Sequence, residues 1–252
     1  MAFTLGYSPC PNDTFIFYGL VHGRIDGAPE FEDVLEDIET LNRLAVDARL
    51  DTTKISFHAF AHLRETYCLL RSGGALGRGC GPLVISKEPI APDDLSTKRV
   101  AIPGELTTAA LLLRLHSPNL SDFIVKPFHE IMPACADGEV DAGVIIHESR
   151  FTFPDYGLDK VIDLGEWWEE SPGHPIPLGG ILAKRDLGAE MIRLIDASLK
   201  ASVEYAYDNP DLIKPYIRDH AQEMDEAVTV SYTHLRAHET DSYLVCRLLL
   251  EK

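Results

Sequence analysis

A histidine at the end of an apolar strand is the residue in this sequence whose type and position best suit acid–base chemistry. His147 follows Gly143-Val144-Ile145-Ile146 and precedes Glu148. A histidine has a pKa near neutrality, so at a strand end beside a ligand site it can accept a proton. An isolated histidine more often has a hydrogen-bonded structural role. His147 is therefore a candidate general base on residue type and position alone.

Two further segments carry donors suited to an oxygen-rich ligand. Thr107-Thr108-Ala109 follows Gly104 at the predicted start of a helix, where hydroxyls and free backbone N–H groups form a seat for a carboxylate. Lys54-Ile55-Ser56 ends a predicted strand, and Ser56 can donate to a substrate oxygen. The structural alternatives are ordinary N-capping by a threonine and a solvated lysine.

The first strand-to-helix turn is also polar and contains a cysteine. Asn12 or Asp13 is predicted to cap the following helix, and Ser8 and Asn12 are expected near the ligand. Cys10 lies between two prolines with no neighbouring base in the sequence. We therefore interpret it as a small packing residue and not as a nucleophile.

Strands alternate with helices along the chain, which predicts parallel α/β sheets. Two such runs are joined by segments expected to be extended, near residues 86–98 and 175–185. This pattern predicts a discontinuous first lobe made of residues 1–90 and 180–230, completed by C-terminal helices. Residues 91–179 form the predicted second lobe.

Composition excludes several classes of partner. The chain has 23 basic and 40 acidic residues and a net charge of −17, so nucleic acid is not an expected partner. No segment approaches the roughly 18 consecutive apolar residues of a membrane span. Five widely spaced cysteines and an N-terminus without signal-peptide features favour the cytoplasm. The expected partner is a small molecule, bound by a monomer or a homodimer.

Patterns typical of cofactor or metal sites are incomplete. The glycines of residues 73–81 lack the G-K-[ST] sequence of a phosphate-binding loop. The histidine pairs His58/His62 and His234/His238 lack the intervening glutamate of a zinc peptidase motif. We therefore predict neither an organic cofactor nor a metal.

Five segments resemble a known family. They are Ser8–Phe17, Val34–Asn42, Leu70–Gly79, Ile145–Arg150 and Asp163–Glu170. In this order they resemble the 1,4-dihydroxy-6-naphthoate synthase family of the futalosine route to menaquinone, and the resemblance extends over about residues 3–230. It implies an α/β, two-lobed fold of the type II periplasmic-binding-protein kind, with a ligand cleft between the lobes.

The resemblance also implies a reaction and a site. The expected activity is that of a carbon–carbon lyase that converts cyclic dehypoxanthine futalosine, a substrate with a carboxylate, to 1,4-dihydroxy-6-naphthoate without a cofactor. The family's proton acceptor falls on His147. Its substrate contacts fall on Lys54, Ile55 and Ser56 and on the segment Thr107, Thr108 and Ala109.

The last residues do not fit this resemblance. From about Ser231 to Lys252 the sequence is similar to a tail found on unrelated predicted proteins, and we interpret it as an artefactual addition. Three alternatives to the synthase remain open from sequence. They are a carboxylate-binding protein without catalysis, the related chorismate dehydratase, and a regulatory effector domain.

Overall fold

A computed structural model describes residues 2–146, 149–171 and 173–220 of the chain. Its strands are β1 (Phe3–Tyr7), β2 (Phe31–Leu35), β3 (Thr52–Ser56), β4 (Tyr67–Leu69), β5 (Ala75–Gly77), β6 (Leu83–Ser86), β7 (Val100–Ile102), β8 (Phe123–Val125), β9 (Ala142–Ile145), β10 (Asp159–Asp163) and β11 (Ile176–Lys184). Its α-helices are α1 (Pro11–Val21), α2 (Ile38–Val46), α3 (Phe57–Leu63), α4 (Thr108–His116), α5 (Phe128–Ala136), α6 (Ser149–Thr152), α7 (Leu164–Glu170), α8 (Gly188–Asp208) and α9 (Pro210–His220). Short 3₁₀ helices cover Pro92–Thr97, Phe153–Tyr156 and Arg185–Leu187.

The described chain divides into two compact units, the first of which contains residues up to Ala75 and from Gly179 onward. Its sheet has the strand order β2-β1-β3-β11-β4, with β5 paired to β11. Strands β1, β2 and β3 are parallel, whereas β11 is antiparallel to β3 and β4. The carboxyl ends of β1 and β3 therefore lie at the same edge of this sheet, where α/β folds bind ligands.

The C-terminal helices α8 and α9 belong to this first unit. The Ser202 hydroxyl on α8 donates to the Ile16 carbonyl of α1 at 2.7 Å and accepts from the Leu20 N–H at 3.2 Å. Gly19 permits this close approach, because a Cβ there would lie 2.8 Å from Ser202 Oγ. Pro210 begins α9, and Pro215 lies inside this helix.

The second unit contains the described residues from Leu76 to Leu178. Its sheet has the order β10-β6-β9-β7-β8, in which β7 is parallel to β8 and β9 and β6 is antiparallel to β9 and β10. Its core on one side of the sheet includes Leu112, Leu113 and Val144. Both sheets are thus mixed, whereas alternation along the chain predicts parallel strands.

The boundaries between the units differ from the sequence prediction. Residues 76–90 belong to the second unit, because β6 pairs with β9 and β10 and these pairings join residues distant in sequence. The predicted extended segment near 86–98 contains a 3₁₀ helix, whereas the one near 175–185 is strand β11. Helix α3 ends at Leu63, and Tyr67 begins β4. The suspected tail from Ser231 lies outside the described residues.

Among the helices of the described residues, none combines the length and the apolar character required to cross a bilayer.

A close backbone contact in the second unit supplies a test of its packing. A Cβ on Gly81 would lie 2.3 Å from Gly165 Cα, so we expect Gly81→Ala to lower the free energy of unfolding by about 1–3 kcal/mol, the range typical of overpacking. Gly74→Ala is the matched control, because the nearest atom to its Cβ would be the Gly179 carbonyl oxygen at 3.9 Å. Urea unfolding midpoints measure both effects, and equal midpoints for the two variants would contradict the packing described.

Candidate functional site

A buried ion pair lies at the carboxyl edge of the first sheet. Lys54 Nζ donates to Asp13 Oδ1 at 2.6 Å, and the two side chains are 9% and 1% exposed. The structure thus places Lys54 in a buried pair, and the solvated alternative is wrong. Burial by itself lowers the pKa of Lys54, but the charge of Asp13, the charge that Cys10 carries when ionised at high pH, and the hydrogen bond from Lys54 to Asp13 raise it above its ordinary value. The ammonium is therefore cationic at neutral pH.

Asp13 also fixes the turn that follows β1. Its Oδ2 accepts the Ser8 hydroxyl at 2.7 Å and the Ser8 backbone N–H at 3.1 Å. The prediction that Asn12 or Asp13 caps α1 is wrong, because the helix begins at Pro11 with Cys10 at the N-cap position and without a side-chain cap. Pro11 is suited to the first helical position because it has no N–H to satisfy.

Ser56 ends β3 and is held by a buried amide. Asn42 Oδ1 accepts the Ser56 N–H at 2.9 Å, and Asn42 Nδ2 donates to Ser56 Oγ at 3.2 Å. Both groups are almost fully buried. The Ser56 hydroxyl therefore accepts from Asn42 and keeps its own proton, for which the described residues provide no acceptor.

Ile55 differs from its two neighbours because its side chain belongs to the core. The side chain is fully buried, and the backbone pairs with Gly180 of β11. Only backbone atoms of Ile55 are chemically suited to a polar ligand.

In the second unit, Thr107 is the N-cap of α4. Its Oγ1 accepts the Ala110 N–H at 3.1 Å and donates to the Gly104 carbonyl at 2.8 Å. The Thr108 hydroxyl donates to the carbonyls of Pro177 and Leu178 at 3.1 and 3.0 Å. Both hydroxyl protons are thus committed within the protein, so the predicted donation of these hydroxyls to a ligand does not agree with the structure.

The backbone at this helix start remains available. Within the described part of the chain, the N–H groups of Thr108 and Ala109 have no acceptor. They begin a nine-residue helix, whose N-terminal partial positive charge favours an anion. The start of α4 therefore offers two backbone donors that are chemically suited to an anion.

The candidate base, His147, and the adjacent Glu148 lie outside the described residues. The chain before them ends β9 at Ile145, and the chain after them begins α6 at the buried Ser149. In α6, Arg150 donates to Asp163 Oδ2 at 2.7 Å and to the Gly81 carbonyl. Asp163 Oδ1 in turn accepts the N–H groups of Gly165 and Glu166 at the start of α7.

Metal-binding side chains do not converge in the described residues. No three His, Cys, Asp or Glu side chains in residues 2–146, 149–171 and 173–220 are arranged to hold a metal ion.

Two residues that hold the predicted ligand groups are not indicated as such by local sequence patterns. Asp13 is paired with Lys54, 41 residues away, and Asn42 with Ser56, 14 residues away. Both lie in the segments that carry the family resemblance, Ser8–Phe17 and Val34–Asn42. A signal is present for Asn42, because an amide beside Leu41 in an amphipathic helix is expected to need a partner.

Comparison with known proteins supplies the family. The family model described as menaquinone biosynthesis matches residues 3–243, which extends past the point where the resemblance was predicted to end. The chain belongs to this menaquinone biosynthesis family. It is 53% identical over 233 residues to the 1,4-dihydroxy-6-naphthoate synthase of Thermus thermophilus, covering 92% of this chain and 85% of the relative. It is 46% identical to the enzyme of the same name from Streptomyces coelicolor, covering 98% and 91%.

Solved structures agree with the predicted fold. A crystal structure of a protein from Archaeoglobus fulgidus is 40% identical, with a TM-score of 0.83 over 90% of this chain and 84% of that chain. A Candida albicans protein, described as having the generic periplasmic binding protein fold, matches with a TM-score of 0.66 at 14% identity, covering 92% and 80%. The periplasmic-binding-protein-like fold predicted from the sequence is confirmed.

Cys10 provides a prediction about reactivity near the ion pair. Burial, and after it the charge of Asp13, raise the pKa of the Cys10 thiol to about 12, so the thiol is protonated at neutral pH. We expect alkylation of Cys10 by iodoacetamide in the folded protein to accelerate with pH from 8 to 10 without reaching a plateau. The urea-unfolded chain is the control, in which the rate should level off near the ordinary thiol pKa of about 8.5. Mass spectrometry of the Cys10 peptide measures both, and a plateau below pH 10 in the folded protein would contradict the environment described.

Proposed function

We propose that this chain converts cyclic dehypoxanthine futalosine to 1,4-dihydroxy-6-naphthoate as a carbon–carbon lyase. The observation that carries the proposal is the identity of 53% and 46% to two enzymes named 1,4-dihydroxy-6-naphthoate synthase, each over more than nine-tenths of the chain. Donors without acceptors among the described residues lie on Lys54 and Ser56 toward the carboxyl end of β3 and on the backbone at the start of α4. Such donors suit a substrate rich in oxygen.

The proposed chemistry needs one proton acceptor. Removal of a proton from the ribose-derived part lets a carbon–carbon bond break, and aromatisation of the naphthalene ring drives the reaction. We assign this step to His147. The oxyanions that develop need hydrogen-bond donors already in place, which is how such sites lower a barrier.

Each unit contains residues that we propose as substrate contacts. In the first, Lys54 and Ser56 supply side-chain donors and Ile55 supplies only its backbone. In the second, the N–H groups of Thr108 and Ala109 receive the carboxylate, and Thr107 holds the start of the helix in place. A net charge of −17 repels an anionic substrate at long range, so local donors of this kind are required.

The alternatives left open from sequence are not favoured by these findings. Relatives named as synthases at 46–53% identity support an enzyme over a protein that only binds a solute. The periplasmic-binding-protein fold does not separate the two, because fold does not decide function. We propose a cytoplasmic enzyme, since the four cysteines among the described residues carry free thiols, as is usual in a reducing compartment.

Product formation tests the reaction and its base together. We expect this chain to release 1,4-dihydroxy-6-naphthoate from cyclic dehypoxanthine futalosine, and His147→Ala to lower kcat by about 10²–10⁴-fold, the usual contribution of a general base. His129→Ala is the control, because that histidine is exposed on α5 and should leave kcat unchanged. Chromatography of the product measures all three. Turnover that survives His147→Ala would move the base elsewhere, and a folded parent without product would contradict the proposed reaction.

The anion seat has a separate test based on proline. Thr108→Pro removes the first N–H of α4 at a position where a helix tolerates proline, and the extended backbone of Thr107 (ψ 150°) is compatible with a following proline. Thr108→Val removes only the hydroxyl and is the matched control. We expect KM to rise about tenfold or more for Thr108→Pro and much less for Thr108→Val, because a hydrogen bond to a charged group contributes about 1.5–3 kcal/mol. Equal KM values in the two variants would argue against a carboxylate on this N–H group.

A further inference from the structure

Asp13 accepts three hydrogen bonds that connect distant parts of the first unit. One comes from Lys54 Nζ at 2.6 Å, and two come from the hydroxyl and the N–H of Ser8 at 2.7 and 3.1 Å. Its carboxylate is 1% exposed and its three donors use both oxygens. Asp13 therefore joins the ends of β1 and β3 through α1.

The Lys54 ammonium, which Asp13 binds, has N–H groups that donate to no acceptor among the described residues. A lysine ammonium has three N–H groups, and among the described residues only Asp13 accepts from Lys54. The Lys54 side chain is nevertheless 91% buried, given its exposure of 9%. Unused donors on a buried cation at the carboxyl edge of a parallel strand pair indicate an oxygen ligand.

We infer that Asp13 is a positioning residue, which aims the Lys54 ammonium at an oxygen of the substrate. The identity of that substrate rests on the proposed function, whereas the pairing and the open donors do not. Asp13 acts through Lys54 and Ser8 and needs no contact of its own with the substrate.

The first unit contains a second aspartate, Asp51, whose partners are likewise a hydroxyl residue and a lysine, at a different place in the fold. Asp51 Oδ2 accepts the N–H and the hydroxyl of Thr4 at 2.9 and 3.0 Å, and Lys184 Nζ lies 3.7 Å from its Oδ1. This arrangement lies at the amino ends of β1 and β3, and both side chains of the ion pair are more exposed. Asp51→Asn therefore removes an equivalent carboxylate away from the proposed ligand edge.

Titration of Lys54 tests the inference without enzyme activity. The groups whose charges act on its ammonium are Asp13 and Cys10, and with Asp13→Asn the desolvation of the buried cation is no longer opposed by the carboxylate. Its pKa should then fall below the ordinary value of about 10.4, so that the charge is lost as pH rises through the measurable range. NMR of protein labelled with ¹³Cε-lysine, with the signal assigned by Lys54→Met, should show this fall in Asp13→Asn and no change in Asp51→Asn.

Kinetic measurements then test whether Asp13 orients the Lys54 ammonium toward the substrate. We expect Asp13→Asn and Lys54→Met each to lower kcat/KM for cyclic dehypoxanthine futalosine at least tenfold, and the double variant to lose little more than either single variant. Asp13→Asn alone should acquire an alkaline limb in its pH profile, which Lys54→Met in the same background removes. A purely structural role would give additive losses and no new limb.

The outcomes separate this inference from the proposed reaction. A parent protein that forms no naphthoate contradicts the proposed reaction. The Lys54 titration still tests the pairing of Lys54 with Asp13 in that case. An unchanged Lys54 titration in Asp13→Asn, or additive kinetic losses, overturns the positioning role. If Asp13→Asn does not fold, the inference is tested by adding 1,4-dihydroxy-6-naphthoate to the labelled parent protein and following the NMR signal of Lys54. A shift of the Lys54 signal at saturation is expected, and its absence at saturation rejects the inference.

Discussion

A lysine ammonium removed from water needs a compensating carboxylate, and Asp13 supplies it to Lys54 at 2.6 Å. Neighbouring backbone is shaped around this pair. Strand β11 passes beside Lys54 with Gly179, where a Cβ would lie 2.8 Å from both Lys54 Cε and the Ile55 carbonyl oxygen. The turn after β1 brings Ser8 to the same carboxylate. The chain therefore forms a sheet edge on which one cation has a fixed position.

The two units offer donors of different physical kinds. In the first, the ammonium of Lys54 and the hydroxyl of Ser56 are side-chain donors whose orientation is set by Asp13 and Asn42. In the second, the donors are backbone N–H groups of α4, and the threonine hydroxyls secure the helix start from within. Backbone donors lose little conformational entropy on binding, and buried side-chain donors lose little once their partners hold them. Both kinds of donor therefore have a fixed position, on a protein whose net charge of −17 repels an anion.

The sequence predicts those parts of the fold that depend on neighbours along the chain. Short apolar runs bounded by turn residues are local signals for strands. Residues 3–7, 83–86 and 123–125 carry such runs and are strands in the structure. The membership of β6 in the second sheet depends on pairing with residues 142–145 and 159–163, which no local pattern encodes.

The same limit applies to the site. The donor segments at 54–56 and 107–109 are identified because they follow a strand and begin a helix, but the partners that orient them come from elsewhere in the fold. Asp13 has the sequence features of a helix cap and instead accepts from Lys54, since a buried cation gains more from a carboxylate than a helix N-terminus that already begins with Pro11. For Thr108, the sequence does not indicate that the hydroxyl donates within the protein, because its acceptors at Pro177 and Leu178 are about 70 residues away.

A shared fold with solute-binding proteins leaves catalysis to individual groups. Fixed donors can hold a substrate, and bond cleavage further requires a group that exchanges a proton near neutral pH. Lys54 remains cationic because Asp13 raises its pKa despite burial, and Cys10 remains a thiol because burial raises its pKa to about 12. Neither group can accept a proton from the substrate, and the carboxylate of Asp13 already accepts three hydrogen bonds. None of these three groups is suited to accept that proton. We therefore propose His147 for proton transfer, the residue on which the family's proton acceptor falls by resemblance.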